Sequence, residues 1–267
     1  MIPAKPISMV LDVESFTLSR QARIGWGIGG AVVAVLIGVS LYGVFGEYGW
    51  WVIAFIGGGG VAVFVMDMNR RTVLRHTHAL RNVASELDLK IGPDGHKELH
   101  PSLKRFHLAS LGHNGILQNL MYGQREGTDI ALFEFEYTSG GKSSFQVRQT
   151  VIWMQRRGTR LTEFSLRPEG VWNQLGGWSG HGDINFDSHP KFSRDYLLRG
   201  DDERAIRELF TDEVLNFYER HPELITEGAG NKLLFYREGV VVPPAEIRTF
   251  LNTALTVRSL FQPRDEV

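Results

Sequence analysis

The sequence of 267 residues contains no cysteine. Disulfide bonds, thiolate catalysis and cysteine-ligated zinc or iron–sulfur centres are therefore excluded. The chain also carries almost no net charge, with a formal value of -1 at pH 7. Nucleic-acid binding usually requires a strong basic excess, so we expect no nucleic-acid partner.

Familiar catalytic motifs are missing as well. The sequence has no P-loop and no G-x-S-x-G elbow. Residues 25–30, GWGIGG, do match the G-x-G-x-x-G spelling of a dinucleotide-binding loop. Such a loop follows a strand and opens towards phosphates, whereas this stretch follows Arg23 and lies inside an uncharged run. We therefore predict no cofactor and lean against an enzyme.

Two long uncharged runs are present, at residues 24–45 and 50–66, joined by GEYG. The first is long enough to cross a bilayer as a helix, and the second lies at the lower limit of a span. Aromatic residues gather near the ends of both runs, as they do at membrane–water interfaces. The runs therefore predict a two-helix transmembrane hairpin and an integral membrane protein with two spans.

The charges beside these runs predict an orientation. Lys and Arg precede the first run and follow the second, whereas the connecting turn carries only Glu47. Because positive flanks stay in the cytoplasm, we expect a bacterial inner-membrane protein with both termini and the main domain cytoplasmic. Small residues at every fourth position favour close helix packing, within the hairpin or between subunits. They are Gly30, Ala34 and Gly38 in the first run and Ala54, Gly58 and Ala62 in the second.

The remainder of the chain divides into a stalk and a domain. Apolar residues at helical spacing between 67 and 89 predict a stalk helix that continues the second span. The main domain then extends from residue 90 to residue 262. The predicted organisation is an N-terminal segment (1–23), the hairpin (24–66), the stalk (67–89), an α+β domain (90–262) and a tail (263–267).

Within the domain, four strand-like runs follow one another with hairpin-type turns between them, which predicts an antiparallel meander. In one of them Phe133 and Phe135 share one face and Glu134 and Glu136 the other, so one face is packed and the other is wet or covered. The runs cover residues 116–123, 129–138, 143–155 and 160–169. The predicted fold class is a membrane-anchored α+β protein: a two-helix transmembrane hairpin, then a mostly antiparallel sheet domain with packed helices.

Residues 186–236, from FDSHPKF to KLLFY, resemble the C-terminal part of uncharacterised bacterial membrane proteins with a short hydrophobic hairpin and a cytosolic domain. The shared pattern is an aromatic-acidic start, a Phe-Ser before a short strand, a charged helix opening and then a hairpin. The upstream segments QTVIWMQ and SLRPE fit the same pattern. The resemblance implies this topology and a bacterial origin, and it transfers no catalytic residue.

One loop holds four side chains of metal-ligating type: His181, Asp183, Asp187 and His189. Imidazole with carboxylate suits zinc, iron or manganese. The two aspartates are equally suited to hydrogen bonding with turn backbones. We predict no metal-binding or catalytic residue, and a membrane-tethered metal-dependent hydrolase using residues 181–189 is kept as an alternative.

The leading functional hypothesis is an interaction or scaffolding module that binds a partner protein or a second copy of itself. Apolar residues in the glycine-rich loop suit a docking patch, or else they fill the core. They are Val171, Trp172, Leu175 and Trp178. A basic turn, RRGTR at 156–160, suits a lipid or acidic partner, or is a solvated hairpin tip. A further alternative is a lipid or small-ligand sensor that uses the sheet face as its pocket.

Overall fold

The structure, a computed structural model, describes residues 66–67, 74–92, 96–140, 144–170 and 182–261. By its internal contacts the chain divides into two compact units, residues 1–72 and 73–267. Nearly all of the described residues belong to the second unit, which holds a sheet and the helices packed against it.

Eight strands form one sheet in the order β1-β2-β3-β4-β8-β7-β5-β6, and every pairing in it is antiparallel. The strands are β1 (Lys90–Ile91), β2 (His113–Arg125), β3 (Thr128–Ser139), β4 (Phe145–Arg156), β5 (Leu161–Pro168), β6 (Tyr196–Gly200), β7 (Ile225–Gly230) and β8 (Lys232–Tyr236). Described helices precede, connect or follow these strands: α1 (74–86), α2 (His96–Leu103), α3 (Pro190–Asp195), α4 (Glu203–Leu209), α5 (Asp212–Glu219) and α6 (Ile247–Leu260).

Both faces of the sheet are packed with apolar side chains. Alternate residues of a strand point to opposite faces of the sheet. Leu132 points to the face that forms a core with α1, α3, α4, α5 and α6, and we call it the helix-rich face. Its neighbour Phe133 faces a second core formed with α2 and the short 3-10 turn His107–Ser110, which we call the α2 face. The domain is thus α+β, as predicted, with a central sheet between two layers.

The predicted four-stranded meander is correct for three strands and wrong for the fourth. β2, β3 and β4 pair in sequence order, but β5 pairs with β6 and β7, and the β7–β8 hairpin lies between β4 and β5. The alternation of apolar residues determines which face of a strand is buried, but it does not determine which strand lies beside it. The turn at 156–160 therefore connects two separated parts of the sheet.

The prediction of a membrane-anchored fold built on a two-helix hairpin is corrected by the structure. Among the described residues no helix is long and apolar enough to cross a membrane, and the fold found there is the eight-stranded sheet. An integral two-span membrane partner is therefore not supported. The runs at 24–45 and 50–66 and their small-residue faces lie outside the described residues, except for Met66. Hydropathy measures how favourably side chains are transferred out of water, and it does not distinguish a lipid environment from a protein interior.

The helix predicted as a stalk over 67–89 is described at 74–86, and it packs on the domain. Leu80 and Ala84 of α1 are buried in the core of the helix-rich face. The Arg125 guanidinium donates to the Leu87 carbonyl oxygen just after the helix. This helix is therefore part of the domain. The other predicted boundaries and the cytoplasmic location stay predictions.

Several elements in the second half of the domain carry clear local signals in the sequence. The segment YLLRG is β6, and the Asp202 carboxylate accepts a hydrogen bond of 3.0 Å from the Ala205 amide at the start of α4. The sequence GAGN lies at the β7–β8 hairpin. An apolar stripe at helical spacing along α6 is buried throughout: Ile247, Phe250, Leu251, Ala254, Val257 and Phe261. Each of these signals depends on residues close in sequence, where capping and periodicity act.

Candidate functional site

The candidate metal loop does not come together as a metal site in the described part of the chain. His181 lies outside the described residues. The Asp183 carboxylate accepts a hydrogen bond of 3.0 Å from the Leu198 amide, and His189 Nδ1 contacts the Ser188 hydroxyl at 3.0 Å. Among described residues no three His, Asp or Glu side chains group as ligands. Asp183 therefore has the backbone-bonding role that the sequence offered as the other interpretation.

The predicted docking patch, Val171, Trp172, Leu175 and Trp178, also lies outside the described residues, so it stays a prediction. The sensor alternative required a pocket on the sheet face. Both faces are instead filled by buried side chains such as Leu132 and Phe133. The described parts of both sheet faces therefore provide packing, and the sensor alternative stays a prediction.

The first of two buried polar clusters surrounds Glu134 on the helix-rich face. Its carboxylate contacts His76 Nε2 of α1 at 2.5 Å, and it accepts hydrogen bonds from Asn119 Nδ2 at 2.9 Å and from the Arg148 guanidinium. Burial alone would raise the pKa of Glu134, but these hydrogen bonds and the charge of Arg148 hold it below its usual value. The cluster fixes α1 against β2, β3 and β4.

The second cluster lies on the α2 face and centres on Arg167 of β5, which is 1% exposed. Arg167 Nη2 donates to Glu227 Oε1 at 2.7 Å and to the Tyr236 hydroxyl at 3.0 Å, and Arg167 Nε donates to the Ser165 hydroxyl at 3.1 Å. Tyr236 also donates to Glu227 Oε1 at 2.7 Å, and the Leu108 amide donates to Glu227 Oε2 at 3.3 Å. The pair is thus both charge-balanced and hydrogen-bonded, as a buried ion pair must be.

The surroundings shift the pKa values of the groups in this second cluster. Burial would lower the pKa of Arg167, but Tyr236, Glu227 and Glu238 raise it. Burial raises the pKa of Tyr236 well above its ordinary value. Burial, followed by the charge of Arg167, lowers the pKa of His107 to about 4, against a smaller opposing effect of Glu227. At neutral pH the cluster therefore holds a charged pair beside a neutral imidazole and a protonated phenol.

Sequence reasoning missed both clusters. Arg167 and Glu227 are 60 positions apart, and His76 and Glu134 are 58 apart. The only local signal was the placement of Glu134 on the face opposite Phe133 and Phe135, and it did not show that the carboxylate is buried. Groups of each cluster bond to one another and thereby stabilise the fold.

The sheet edges differ in how well they are covered. Along β6, the Ile184 amide donates to the Leu198 oxygen at 2.9 Å, so the segment before α3 covers this edge. Along β2, irregularities lie between His113 and Ile116 and between Gln118 and Met121. Bulges of this kind protect an edge against further strand pairing.

The edge of β4 is different over Phe145–Arg148. Its pairing with β3 runs without a break from Thr128↔Arg156 to Ser139↔Phe145. β8 pairs only with Val151–Gln155, and no other described residue pairs with the first four residues of β4. We call this stretch, Phe145–Arg148, the open edge. The Phe145 side chain is 51% exposed there.

The backbone of the open edge is directed outward at alternate residues. The Thr150 amide donates to the Val240 oxygen on the outer side of β4, at 2.9 Å. Alternate residues of a strand share one direction, so Gln146 and Arg148 present their amides and carbonyls outward as well. The open edge thus offers ladder positions with which no described residue pairs on the outer side, beside an exposed aromatic ring.

No family model matches this chain, and no curated protein matches it significantly. A solved structure with a similar fold is the crystal structure of the mycobacterial trehalose monomycolate transport factor A, TtfA. It is 16% identical with a TM-score of 0.51, and the match covers 70% of this chain and 94% of that chain. The likeness shows the fold alone, and it agrees with the sheet domain rather than with a hairpin fold.

Proposed function

We propose that this chain is a non-catalytic interaction module that binds an extended segment of a partner protein along the open edge. The observation that carries the proposal is the regular, unpaired stretch Phe145–Arg148 with its half-exposed ring. A free strand edge binds an extended peptide through backbone hydrogen bonds, and side-chain contacts supply the specificity. Here Phe145 would supply such a contact on the α2 face.

The distribution of polar groups favours binding over catalysis in this proposal. The buried charges of Glu134, Arg167 and Glu227 are engaged in internal hydrogen bonds. The mycobacterial protein of similar fold is described as a transport factor. By fold-level analogy, we propose that this chain also acts as an accessory factor.

Photocrosslinking from position 145 tests this proposal. A benzoylphenylalanine placed at 145 in the full chain is expected to crosslink an extended segment of another protein in a cell lysate. The matched position is Ile91, an apolar residue that is 43% exposed on the edge strand β1, three strands away from β4. We expect little or no product from position 91.

A proline at Gln146 makes the test specific for strand addition. Gln146→Pro removes an outward amide and is tolerated because proline is compatible with a strand edge. Loss of one backbone hydrogen bond together with the steric effect of the ring is expected to reduce crosslinking about tenfold or more. Gln146→Ala keeps the amide and should crosslink as the unmodified chain does. Equal yields with proline, or products formed only with a second copy of this chain, would refute the proposal.

A further inference from the structure

The basic turn at residues 156–160 has an unusual location. It connects β4 to β5 across the end of the β7–β8 hairpin, and the Arg156 amide donates to the Asn231 oxygen at 3.1 Å. Arg156 is half-buried, whereas Arg157 and Arg160 are exposed. Within the described part of the chain, none of these three guanidinium groups forms an ion pair with a carboxylate.

A fourth arginine, Arg258, lies close enough to Arg156 for the two charges to interact. Arg258 belongs to the last turn of α6 and is 1% exposed, in line with the apolar residues Ala254 and Phe261. α6 packs against β4 on the helix-rich face, the face to which Arg156 points together with Met154. None of the three guanidinium nitrogens of Arg258 has a hydrogen-bond partner among the described residues.

The energetics of Arg258 differ from those of the other fully buried arginine. Arg167 has a carboxylate, a phenol and a hydroxyl as partners. Burial and the charge of Arg156 lower the pKa of Arg258 to about 10, so it remains charged at neutral pH. A buried charge without a counter-ion is strongly unfavourable, and a neighbouring charge of the same sign adds to the cost. An anion between the two guanidinium groups would relieve both effects.

We propose that the basic turn and Arg258 form a phosphate-binding site. Arg156 and Arg258 would be the inner cations, and the exposed Arg157 and Arg160 the outer ones. Planar guanidinium groups match the oxygen geometry of phosphate and bind it with paired hydrogen bonds. Four cationic groups suit a doubly charged phosphate group better than a single carboxylate. The site is separate from the open edge and does not depend on the proposed protein partner.

Thermal unfolding of the full chain in inorganic phosphate tests this site, with chloride of equal ionic strength as the reference. At phosphate about 100-fold above the dissociation constant we expect the midpoint to rise by about 5–10 °C. Arg156→Gln should abolish the phosphate-specific part of the rise. Arg204→Gln, at an exposed arginine of α4, should leave it intact and thus corrects for the general stabilising effect of phosphate.

A second variant tests whether the charge of Arg258 destabilises the free chain or whether its side chain stabilises the fold. Arg258→Met should raise the midpoint in chloride and remove the response to phosphate, because it replaces an unpartnered charge by an apolar chain of similar length. A lower midpoint of this variant in chloride would overturn the proposal. The proposal would also be overturned if the unmodified chain gave the same midpoint in phosphate as in chloride and did not bind the vesicles described next.

The phosphate group could belong to a small molecule or to a lipid headgroup, and vesicle flotation separates these sources. Binding to phosphatidylcholine vesicles that contain phosphatidic acid, lost in Arg156→Gln, would assign a lipid source. A phosphate-specific midpoint shift without vesicle binding would assign a soluble one. Absence of both responses would refute phosphate recognition.

Discussion

Replacement of Glu227 by glutamine is expected to lower the free energy of unfolding by about 3–5 kcal/mol. Arg167 would remain buried and charged, and it would lose the carboxylate to which it donates at 2.7 Å. Glutamine has nearly the same size as glutamate, so the loss would come from the charge rather than from a cavity. Urea unfolding of the full chain at neutral pH measures it.

Two further variants show whether the buried charge is responsible. Glu208→Gln removes the carboxylate of an exposed pair with Arg204 and should cost less than about 1 kcal/mol. Adding Arg167→Met to Glu227→Gln should recover much of the lost stability, because the buried guanidinium charge is removed as well and the amide can still accept from Tyr236. A double variant as unstable as the single one would contradict this explanation.

Acidification is expected to destabilise the domain through His107. The folded chain keeps its imidazole neutral until a pKa of about 4, whereas the unfolded chain takes up the proton below about pH 6.5. Between these values the unfolded state binds more protons, so stability is fully present above the unfolded pKa and is lost as pH falls towards 4. From about pH 7.5 to about pH 5 this corresponds to a loss of about 2 kcal/mol.

His107→Gln isolates that contribution, because the amide does not titrate and the other histidines are unchanged. Urea unfolding at both pH values should give a smaller pH-dependent loss for the variant, by about 2 kcal/mol. Equal losses for the two proteins would mean that Arg167 and the surrounding burial do not keep His107 neutral.

The parts of the fold that depend on neighbouring residues were predictable from the sequence. The stripe of α6 repeats every three or four residues, and the Asp202 cap bonds to an amide three residues later. The alternation of Phe133 and Glu134 predicted a strand with two different faces. The pairing of β5 with β7 was not predictable in this way, because the β7–β8 hairpin that separates β5 from β4 occurs about 60 residues later.

The buried polar clusters were not predictable from the sequence for the same reason. Glu134 and Arg167 acquire their partners only when distant segments meet, and neither neighbourhood carries a motif. The basic turn at 156–160 was visible in the sequence, but Arg258 is 98 positions from Arg160 and lies in an otherwise apolar stripe. The two uncharged runs were over-interpreted, because hydropathy alone led to a fold class that the sheet domain corrects.

Amide hydrogen exchange at the open edge, with and without the crosslinked partner segment, tests the proposed binding mode most directly. In the free chain the Gln146 and Arg148 amides should exchange quickly, whereas Val147, which faces β3 opposite Tyr137, should be protected. In the complex Gln146 and Arg148 should become protected, and Val147 should change little. Unchanged exchange of Gln146 and Arg148 in the complex would contradict strand addition at β4.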